Sequence, residues 1–259
     1  MADRRLPSLP KVLVLLPTYN ERENLPVIAE RLLAYGDLRV LVIDDGSPDG
    51  TGALADEIAA TSQGRLSVLH RSGKRGLGRS YLDGMRAALA TDAEFVFQMD
   101  ADLSHDPKYV PDLVAAAARH DLVIGSRYLQ GVSVVNWPLR RLMLSTFANW
   151  YVRTITGMRV RDCTAGFRCW SRDALARLPL DRIVSDGYSF QVETLFLALE
   201  AGSTVGEVPI IFVERRVGAS KISGNVIRES FVTPWRMALR RAFGRRQSPQ
   251  PPRYNSPAS

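Results

Sequence analysis

Short apolar runs alternate with amphipathic segments through the first half of the chain. The apolar runs predict strands at 11–17, 39–44, 65–70, 93–99 and 121–125. The segments between them carry apolar residues at helical spacing and predict helices at 23–35, 50–62, 78–90 and 107–119. Short connections between alternating strands and helices imply parallel strands joined by right-handed crossovers. The pattern therefore predicts an α/β fold with a Rossmann-like, mostly parallel sheet flanked by helices.

The regular alternation stops near Ser126. Beyond it the sequence predicts an amphipathic helix at 136–157, helices at 171–178 and 189–201, a strand at 203–213 and a basic amphipathic helix at about 224–246. From Gln247 the chain is rich in serine and proline, which is typical of a disordered tail. We therefore divide the chain into an N-terminal extension (1–10), an α/β domain (11–225), a basic helix (226–246) and a tail (247–259).

Composition limits the classes of protein that this chain can form. With 259 residues and 46% hydrophobic content, it can bury one good core. No apolar run reaches the roughly 18 to 20 residues that span a bilayer, and the first residues are polar and basic, unlike a secretory leader. The two cysteines, Cys163 and Cys169, lack the spacing of a zinc site. We therefore expect a reduced, cytosolic setting and a soluble or peripheral protein.

The formal net charge of +7 is concentrated in two segments. Acidic residues are absent between Asp121 and Asp162 and again after Glu229, whereas each segment contains six arginines. Because both segments are also apolar, they predict helices that lie on an anionic membrane surface. The alternative is a basic helix packed on the core with its arginines in solvent. A nucleic-acid-binding module is disfavoured, because the arginines are interleaved with aliphatic residues and the acids cluster at strand ends.

Acidic residues follow two of the predicted strands. Asp100 and Asp102 end the run at 93–99, and Asp44 and Asp45 end the run at 39–44. Ligands of open α/β sheets bind at this edge, and two carboxylates beside substrate phosphates suit Mg²⁺ or Mn²⁺. A turn of solvated acids is the alternative for each pair taken alone. We expect Asp49 to serve the turn, but Asp44 and Asp45 are harder to explain in that way.

Six motifs together resemble the family 2 inverting glycosyltransferases and, more narrowly, the polyprenol (dolichol) phosphate mannose synthases. These motifs are Pro17–Glu21, Asp44–Thr51, Met99–His105, Gly125–Tyr128, Asp162–Arg168 and Val217–Lys221. They occur in order and cover the chain to about residue 240. The resemblance implies a GT-A fold with amphipathic interfacial helices, a catalytic domain over 11–225 and an acceptor-facing or membrane-facing segment at 136–157. It implies transfer of mannose from GDP-mannose to a polyprenyl monophosphate.

The resemblance also assigns site residues, and the chemistry of this transfer fits them. It places the nucleoside pocket at Pro17, Tyr19, Glu21, Ile43 and Asp45, with Ala101 packed on the nucleotide. Asp100 and Asp102 would hold a divalent metal, and Asp102 and Arg127 would be catalytic. Phosphate groups would contact Arg127, Arg215 and Lys221, and the acceptor phosphate would bind Arg127, Arg141 and Ser145. Some relatives have Gln at the position of Ser104, so the third metal ligand stays open between Ser104, His105 and water.

Three further points stay open at this level. Asp162 and Arg168 form either an internal ion pair or a substrate contact, and the segment with Gly187, Tyr188, Gln191 and Glu193 either lines the sugar site or packs and caps its helix. Another donor, such as UDP-glucose, is the alternative to GDP-mannose, and a catalytically silent regulator is disfavoured by the intact acidic pair.

We expect peripheral attachment to the cytoplasmic face of the plasma membrane, through the basic helices or a membrane partner subunit.

Overall fold

The computed structural model describes residues 9–73, 76–214 and 224–244, with side chains in the last range described for 231–241. Nine strands lie in the described ranges: β1 (Val12–Thr18), β2 (Arg39–Asp44), β3 (Leu66–His70), β4 (Phe95–Gln98), β5 (Leu122–Ser126), β6 (Val134–Val135), β7 (Arg168–Ser171), β8 (Val205–Pro209) and β9 (Phe212–Val213). Seven of them form one sheet in the order β3-β2-β1-β4-β7-β5-β8, while β6 and β9 pair separately.

Eight α-helices connect and cover these strands within the described ranges: α1 (Leu25–Leu33), α2 (Thr51–Thr61), α3 (Leu77–Leu89), α4 (Val110–Ala117), α5 (Leu139–Thr156), α6 (Arg172–Arg177), α7 (Gly187–Glu200) and α8 (Gly224–Gly244). A 3₁₀ turn at Pro107–Tyr109 precedes α4, and its Asp106 accepts a hydrogen bond from Lys108 N at 3.0 Å. The predicted helix at 107–119 is therefore a capped 3₁₀ turn followed by an α-helix.

The sheet is parallel except at β7, which runs antiparallel to both neighbours, β4 and β5. This strand was not predicted, because it has only four residues and begins with an arginine. The predicted strand at 203–213 is divided, since β8 extends the large sheet and β9 pairs with β6. The predicted α/β architecture is confirmed, with one antiparallel strand inserted between two parallel halves.

Alternation along the strands separates two hydrophobic cores. On β1, Leu13 and Leu15 face the side covered by α3, α6 and α7, whereas Val12, Val14 and Leu16 face the side covered by α1 and α4. Because both faces are covered, β1 is apolar throughout, as expected of a parallel strand. Burial of each such side chain stabilises the fold by about 1.5–3 kcal/mol.

Helices α5 and α8 lie together at one side of the domain. Met237 and Thr233 of α8 are buried, while Leu139, Met143, Trp150 and Trp235 expose apolar surface. The helices predicted at 136–157 and at about 224–246 are present as α5 and α8, and part of α8 also belongs to the core. Among the described residues, no helix combines the length and apolar character that crossing a bilayer requires. The N-terminal extension through residue 8, the motif at Val217–Lys221 and the tail lie outside the described residues.

Candidate active site

The carboxyl ends of β1, β2 and β4 bring the three predicted polar turns to one edge of the sheet. Pro17 is in register with Ile43, and Thr18 with Asp44, while Leu15 is in register with Gln98. The Asp45 N–H donates to the Thr18 carbonyl at 3.1 Å, which continues the pairing beyond the strands. Parallel strands end at the same edge of a sheet. Residues 17–21, 43–45 and 100–102 are therefore neighbours, as the sequence predicted.

The two acids that end β2 have different tasks. Asp44 accepts hydrogen bonds from the Thr18 hydroxyl at 3.1 Å and from the Ser47 N–H at 3.1 Å, so it holds the turn, contrary to our expectation. Asp45 is buried, accepts from the Ser80 hydroxyl at 2.8 Å and forms an ion pair with Arg71. The Arg71 charge compensates that of Asp45, and both side chains are almost completely buried.

The predicted nucleoside residues occupy this edge with different exposure. Pro17, Tyr19 and Glu21 are half-buried at the end of β1. Ile43 is fully buried, and its Cδ1 lies only 2.4 Å from the position that a Cβ on Gly84 of α3 would take. Because the Ile43 side chain packs against α3, only its backbone can border a ligand at this edge. Alternation along β2 places Ile43 on the same face as Leu41, in the core that α3 covers.

Asp100 and Asp102 line a polar cavity of about 200 Å³. Asp100 accepts a hydrogen bond from the Tyr81 hydroxyl at 2.9 Å, and Asp102 accepts from the Ser104 hydroxyl at 2.5 Å. Burial, together with Asp100, raises the pKa of Tyr81 well above its usual value, which keeps this phenol a donor. Ala101, between the two acids, is buried in the core. Both carboxylates are therefore fixed by neighbours that donate to them.

The donor set around these acids fits a magnesium or manganese ion. In the described part of the chain, no group of three or more histidine, cysteine, aspartate or glutamate side chains forms a closed metal site. Two carboxylates that leave room for substrate oxygens are what Mg²⁺ commonly uses. His105 accepts from the Asp100 N–H through Nδ1 at 3.1 Å, and burial lowers its pKa, so it is neutral. The Ser104 hydroxyl donates a hydrogen bond to Asp102, so both protein candidates for a third ligand already have a structural bond.

Arg127 is held by Asp162 at the boundary of the cavity. Its Nε and Nη2 each lie 2.7 Å from an Asp162 carboxylate oxygen, and its N–H donates to the same carboxylate at 3.0 Å. Burial opposes the charge of both groups, but their attraction prevails: it lowers the pKa of Asp162 and raises that of Arg127. The guanidinium also donates to the Thr164 hydroxyl at 2.8 Å. This pair fixes Arg127 in one orientation.

The predicted alternative of an ion pair between Asp162 and Arg168 is wrong, because Asp162 pairs with Arg127. Arg168 is fully buried and donates to the carbonyls of Ala165 and Cys163 and to the Thr194 hydroxyl at 2.8–3.0 Å. Burial lowers its pKa to about 10. Arg168 therefore organises the loop that carries Thr164 and Ala165 to the cavity.

Arg141 and Ser145 approach Arg127 from α5. The Arg141 guanidinium lies 4.3 Å from the Trp137 ring centroid, and that of Arg127 lies 5.5 Å from the same centroid. Arg141 also forms an ion pair with Glu214, while Ser145 accepts a hydrogen bond from the Tyr128 hydroxyl at 2.7 Å. The three predicted acceptor residues are thus close together, and both guanidinium groups lie near the Trp137 ring. Arg215 and Lys221 lie outside the described residues.

A second cavity adjoins the polar one and is mainly apolar. It has a volume of about 130 Å³ and lies between α5, α7 and α8, where its walls include Leu144, Phe147, Ala148, Val152, Val192, Phe231 and Pro234. Arg127, Arg141, Thr164 and Tyr188 line both cavities. The site therefore joins a polar chamber to an apolar one across two arginines. Sequence reasoning identified the arginines but missed Trp137, Glu214 and the apolar walls, which only the packing of three helices brings together.

The open segment around α7 divides between the two alternatives. Tyr188 and Gln191 line the polar cavity, and so does Gly187. Glu193 instead accepts hydrogen bonds from the N–H groups of Val184 and Ser185 at 3.1 and 2.9 Å, so it holds the loop before the helix. Glu193 therefore has a structural task, while the first turns of α7 border the site.

A mostly parallel sheet with paired carboxylates at its ligand-binding edge is the arrangement expected of a glycosyltransferase of the GT-A class. The sequence profile described as glycosyl transferase family 2 matches residues 13–183. The chain therefore belongs to glycosyl transferase family 2, and the predicted resemblance is confirmed. It is 48% identical over 240 residues to a polyprenol monophosphomannose synthase of Mycolicibacterium smegmatis (strain ATCC 700084 / mc(2)155), covering 90% of this chain and 91% of the relative. It is 45% identical over 233 residues to an undecaprenyl-phosphate mannosyltransferase of Micrococcus luteus, covering 89% and 96%.

Solved structures support the fold. A glucosyl-3-phosphoglycerate synthase from Mycobacterium tuberculosis, in complex with Mn²⁺, uridine diphosphate and phosphoglyceric acid, matches with a TM-score of 0.64 and 20% identity. The match covers 88% of this chain and 78% of that one. At this identity the likeness shows the fold, and the predicted GT-A architecture is confirmed.

Proposed function

We propose that this protein transfers mannose from GDP-mannose to a polyprenyl monophosphate, with inversion at the anomeric carbon. The observation that carries the proposal is the junction of the polar and apolar cavities across Arg127 and Arg141. A polyprenyl phosphate is an anion on an apolar chain, so it presents one part to each chamber. The names of the two relatives support the same acceptor class and the same sugar.

On the donor side, the nucleoside would lie at the ends of β1 and β2, along Pro17, Tyr19, Glu21, Asp45 and the backbone of Ile43. Asp100 and Asp102 would hold Mg²⁺ or Mn²⁺, which when bound stabilises negative charge on the leaving diphosphate. Ala101 would pack on the nucleotide. From the resemblance alone, Arg215 and Lys221 would add positive charge at the same phosphates.

On the acceptor side, two arginines would bind the lipid phosphate. Arg127 is held rigidly by Asp162 and Thr164, so it presents its charge without having to be ordered on binding. Arg141 can exchange its partner Glu214 for the phosphate, and Ser145 would complete the contact. Arginine suits this task because it stays charged and offers paired donors. The apolar cavity would receive the adjoining part of the polyprenyl chain.

The reaction needs positioning more than proton transfer. A phosphate oxygen of the acceptor attacks the anomeric carbon from the side opposite the diphosphate, and the bond between that carbon and the diphosphate oxygen breaks. GDP leaves with the electron pair, and a mannosyl phosphodiester remains. Because the second pKa of a phosphate monoester is near 6, the nucleophile is already ionised at neutral pH. Asp102 and Arg127 therefore act by placing and balancing charge.

We also propose peripheral attachment to the cytoplasmic face of the plasma membrane. Trp150 on α5 and Trp235 on α8 are 59% and 53% exposed, and Leu139, Met143 and Leu239 expose apolar surface on the same two helices. Aromatic and aliphatic side chains with basic neighbours favour the boundary of an anionic bilayer. Both helices line the apolar cavity, so a lipid acceptor could enter it from that boundary. A membrane partner subunit would be an alternative means of attachment.

The test of the function is transfer of radiolabelled mannose from GDP-mannose to a short polyprenyl phosphate, with Mg²⁺ or Mn²⁺. We expect label in the chloroform phase that requires the metal and vanishes in Asp102→Ala. Asp181→Ala is the matched control, because Asp181 pairs with Arg86 on the surface. Competition by unlabelled GDP-mannose and UDP-glucose decides the donor. Label that stays in the aqueous phase would contradict the proposed lipid acceptor. Stronger competition by UDP-glucose than by GDP-mannose would contradict the proposed donor.

A further inference from the structure

Gln191, near the start of α7, has a buried polar atom without a partner. The residue is 3% exposed, and its Oε1 has no hydrogen-bond partner among the described residues. Buried side-chain oxygens almost always accept a hydrogen bond, since leaving one unpaired destabilises the fold. Beside a cavity, such an atom can take its partner from a ligand or from water.

The surroundings of Gln191 define where that ligand would lie. Gly166 also lines the polar cavity, and a Cβ built on it would lie 3.6 Å from Gln191 Nε2, 3.6 Å from Asp100 Oδ2 and 3.7 Å from His105 Cε1. These are ordinary contact distances, and the Gly166 backbone is outside the left-handed region that favours glycine. The Gln191 carboxamide and the Asp100 carboxylate therefore lie around a space that stays open because residue 166 is a glycine.

The chemistry of this space favours the transferred sugar over the other parts of the substrates. The nucleoside would lie at the ends of β1 and β2, and the apolar cavity would take the acceptor chain. A carboxamide both accepts and donates hydrogen bonds, which matches the hydroxyl groups of a hexose. Its neighbour Glu193 is already used by the loop before α7, whereas Gln191 Oε1 has no such task.

We propose that Gln191 binds hydroxyl groups of the transferred sugar in the space beside Gly166 and thereby helps to select the hexose. This inference rests on the proposed function, because it takes the polar cavity as the donor site. A site that hydrogen-bonds a substrate hydroxyl discriminates strongly against sugars that leave its polar atoms unpaired.

Two variants test the subsite independently. Gln191→Met keeps the length of the side chain but removes its hydrogen bonds, and Gly166→Ala adds a methyl group to the space without forcing the backbone. Ser203→Ala is the control, because the Ser203 hydroxyl is also buried without a partner in the described chain but lines neither cavity. Calorimetry measures the affinity of each variant for GDP and for GDP-mannose. Kinetics measure kcat/KM with GDP-mannose and with GDP-glucose as donors.

We expect both site variants to bind GDP within about twofold of the wild type, while kcat/KM for GDP-mannose falls by about ten- to hundredfold. The preference for mannose over glucose should shrink in Gln191→Met, and Ser203→Ala should match the wild type. Equal weakening of GDP and GDP-mannose in both variants, or unchanged use of GDP-mannose in both, would overturn the subsite. If the wild type binds GDP-mannose but labels no lipid, the proposed acceptor fails, and the calorimetric comparison still decides the subsite.

Discussion

Removing Asp162 isolates the buried charge on which the acceptor side depends. The Asp162 side chain is fully buried and that of Arg127 is 7% exposed, and two hydrogen bonds of 2.7 Å join them. In Asp162→Ala the guanidinium of Arg127 loses its counter-charge, and the Arg127 N–H loses its acceptor at 3.0 Å. The perturbation therefore leaves a charge in the interior with no partner of opposite sign at that position.

The expected cost is large compared with the stability of the whole fold. Breaking a buried ion pair by removing one partner destabilises a protein by about 3–5 kcal/mol, out of a total of about 5–15 kcal/mol. For a chain of this size, about 2–4 °C of melting temperature is lost per kcal/mol, so the midpoint should fall by about 6–20 °C. The double variant Arg127→Met with Asp162→Leu removes both charges, so most of that loss should be regained.

Thermal unfolding and mannose transfer, measured on the wild type, Asp162→Ala and the double variant, separate stability from chemistry. We expect Asp162→Ala to melt early, and the double variant to melt near the wild type but remain inactive, because no guanidinium is left for the acceptor phosphate. Asp181→Ala, which breaks the exposed pair with Arg86, should barely shift the midpoint. A shift below about 2 °C in Asp162→Ala, or a double variant as unstable as the single one, would refute the reasoning.

Three further outcomes follow from the same contacts. The pKa of Asp162 is lowered in the fold, so its ionised carboxylate stabilises the protein above the unfolded pKa of 3.8, and this stabilisation is lost as the pH falls through the folded pKa. The melting temperatures of the wild type and Asp162→Asn should therefore differ at pH 7 and converge in acid, and an equal difference at both pH values would contradict the lowered pKa. Glu214→Gln frees Arg141 and should lower the KM for polyprenyl phosphate by about two- to fivefold, with the KM for GDP-mannose as the control; a higher KM for the acceptor would show that Glu214 helps to bind it. Trp150→Ser should weaken binding to anionic vesicles by about tenfold in a flotation assay, whereas Val27→Ser on α1 should not, and equal binding by both would exclude α5 from the membrane contact.

Point variants on α5 suit the membrane test better than truncation of α8. For the basic C-terminal segment the sequence left two alternatives, an interfacial helix and a basic helix packed on the core. Thr233, Pro234 and Met237 are buried, and Met237 belongs to the core. Truncation before residue 224 would therefore expose core surface as well as remove basic charge. Substitution of an exposed residue such as Trp150 changes the surface alone.

The parts of the fold that follow from local patterns could be predicted from the sequence. Parallel strands buried on both faces produce continuous apolar runs, and β1, β2, β4 and β5 were located in this way. Strand β3 was also located, although it lies at the edge of the sheet and is partly exposed. The polar turns after β1, β2 and β4 were expected to meet, because the carboxyl ends of parallel strands share an edge. Strand β7 escaped this reasoning, since its pairing is set by neighbours far away in the chain and it begins with the buried Arg168.

The site was harder to predict than the sheet because its contacts are long-range. Arg127 and Asp162 are 35 residues apart, and only the packing of the 162–165 loop beside β5 joins them. A motif places Ile43 among the nucleoside residues, but the alternation of β2 directs its side chain into the core with Leu41. The apolar cavity depends on three helices at once, so no single amphipathic pattern could reveal its walls.

The most direct test of the central claim is the structure of the product formed from GDP-mannose and a short polyprenyl phosphate. Mass spectrometry should find one hexose added to the intact lipid phosphate, with release of GDP. Nuclear magnetic resonance at the anomeric centre should show the β configuration, inverted from the α-linked donor. Free mannose, a hexose attached elsewhere than the phosphate, or the α configuration would contradict direct attack by the lipid phosphate at the junction of the two cavities.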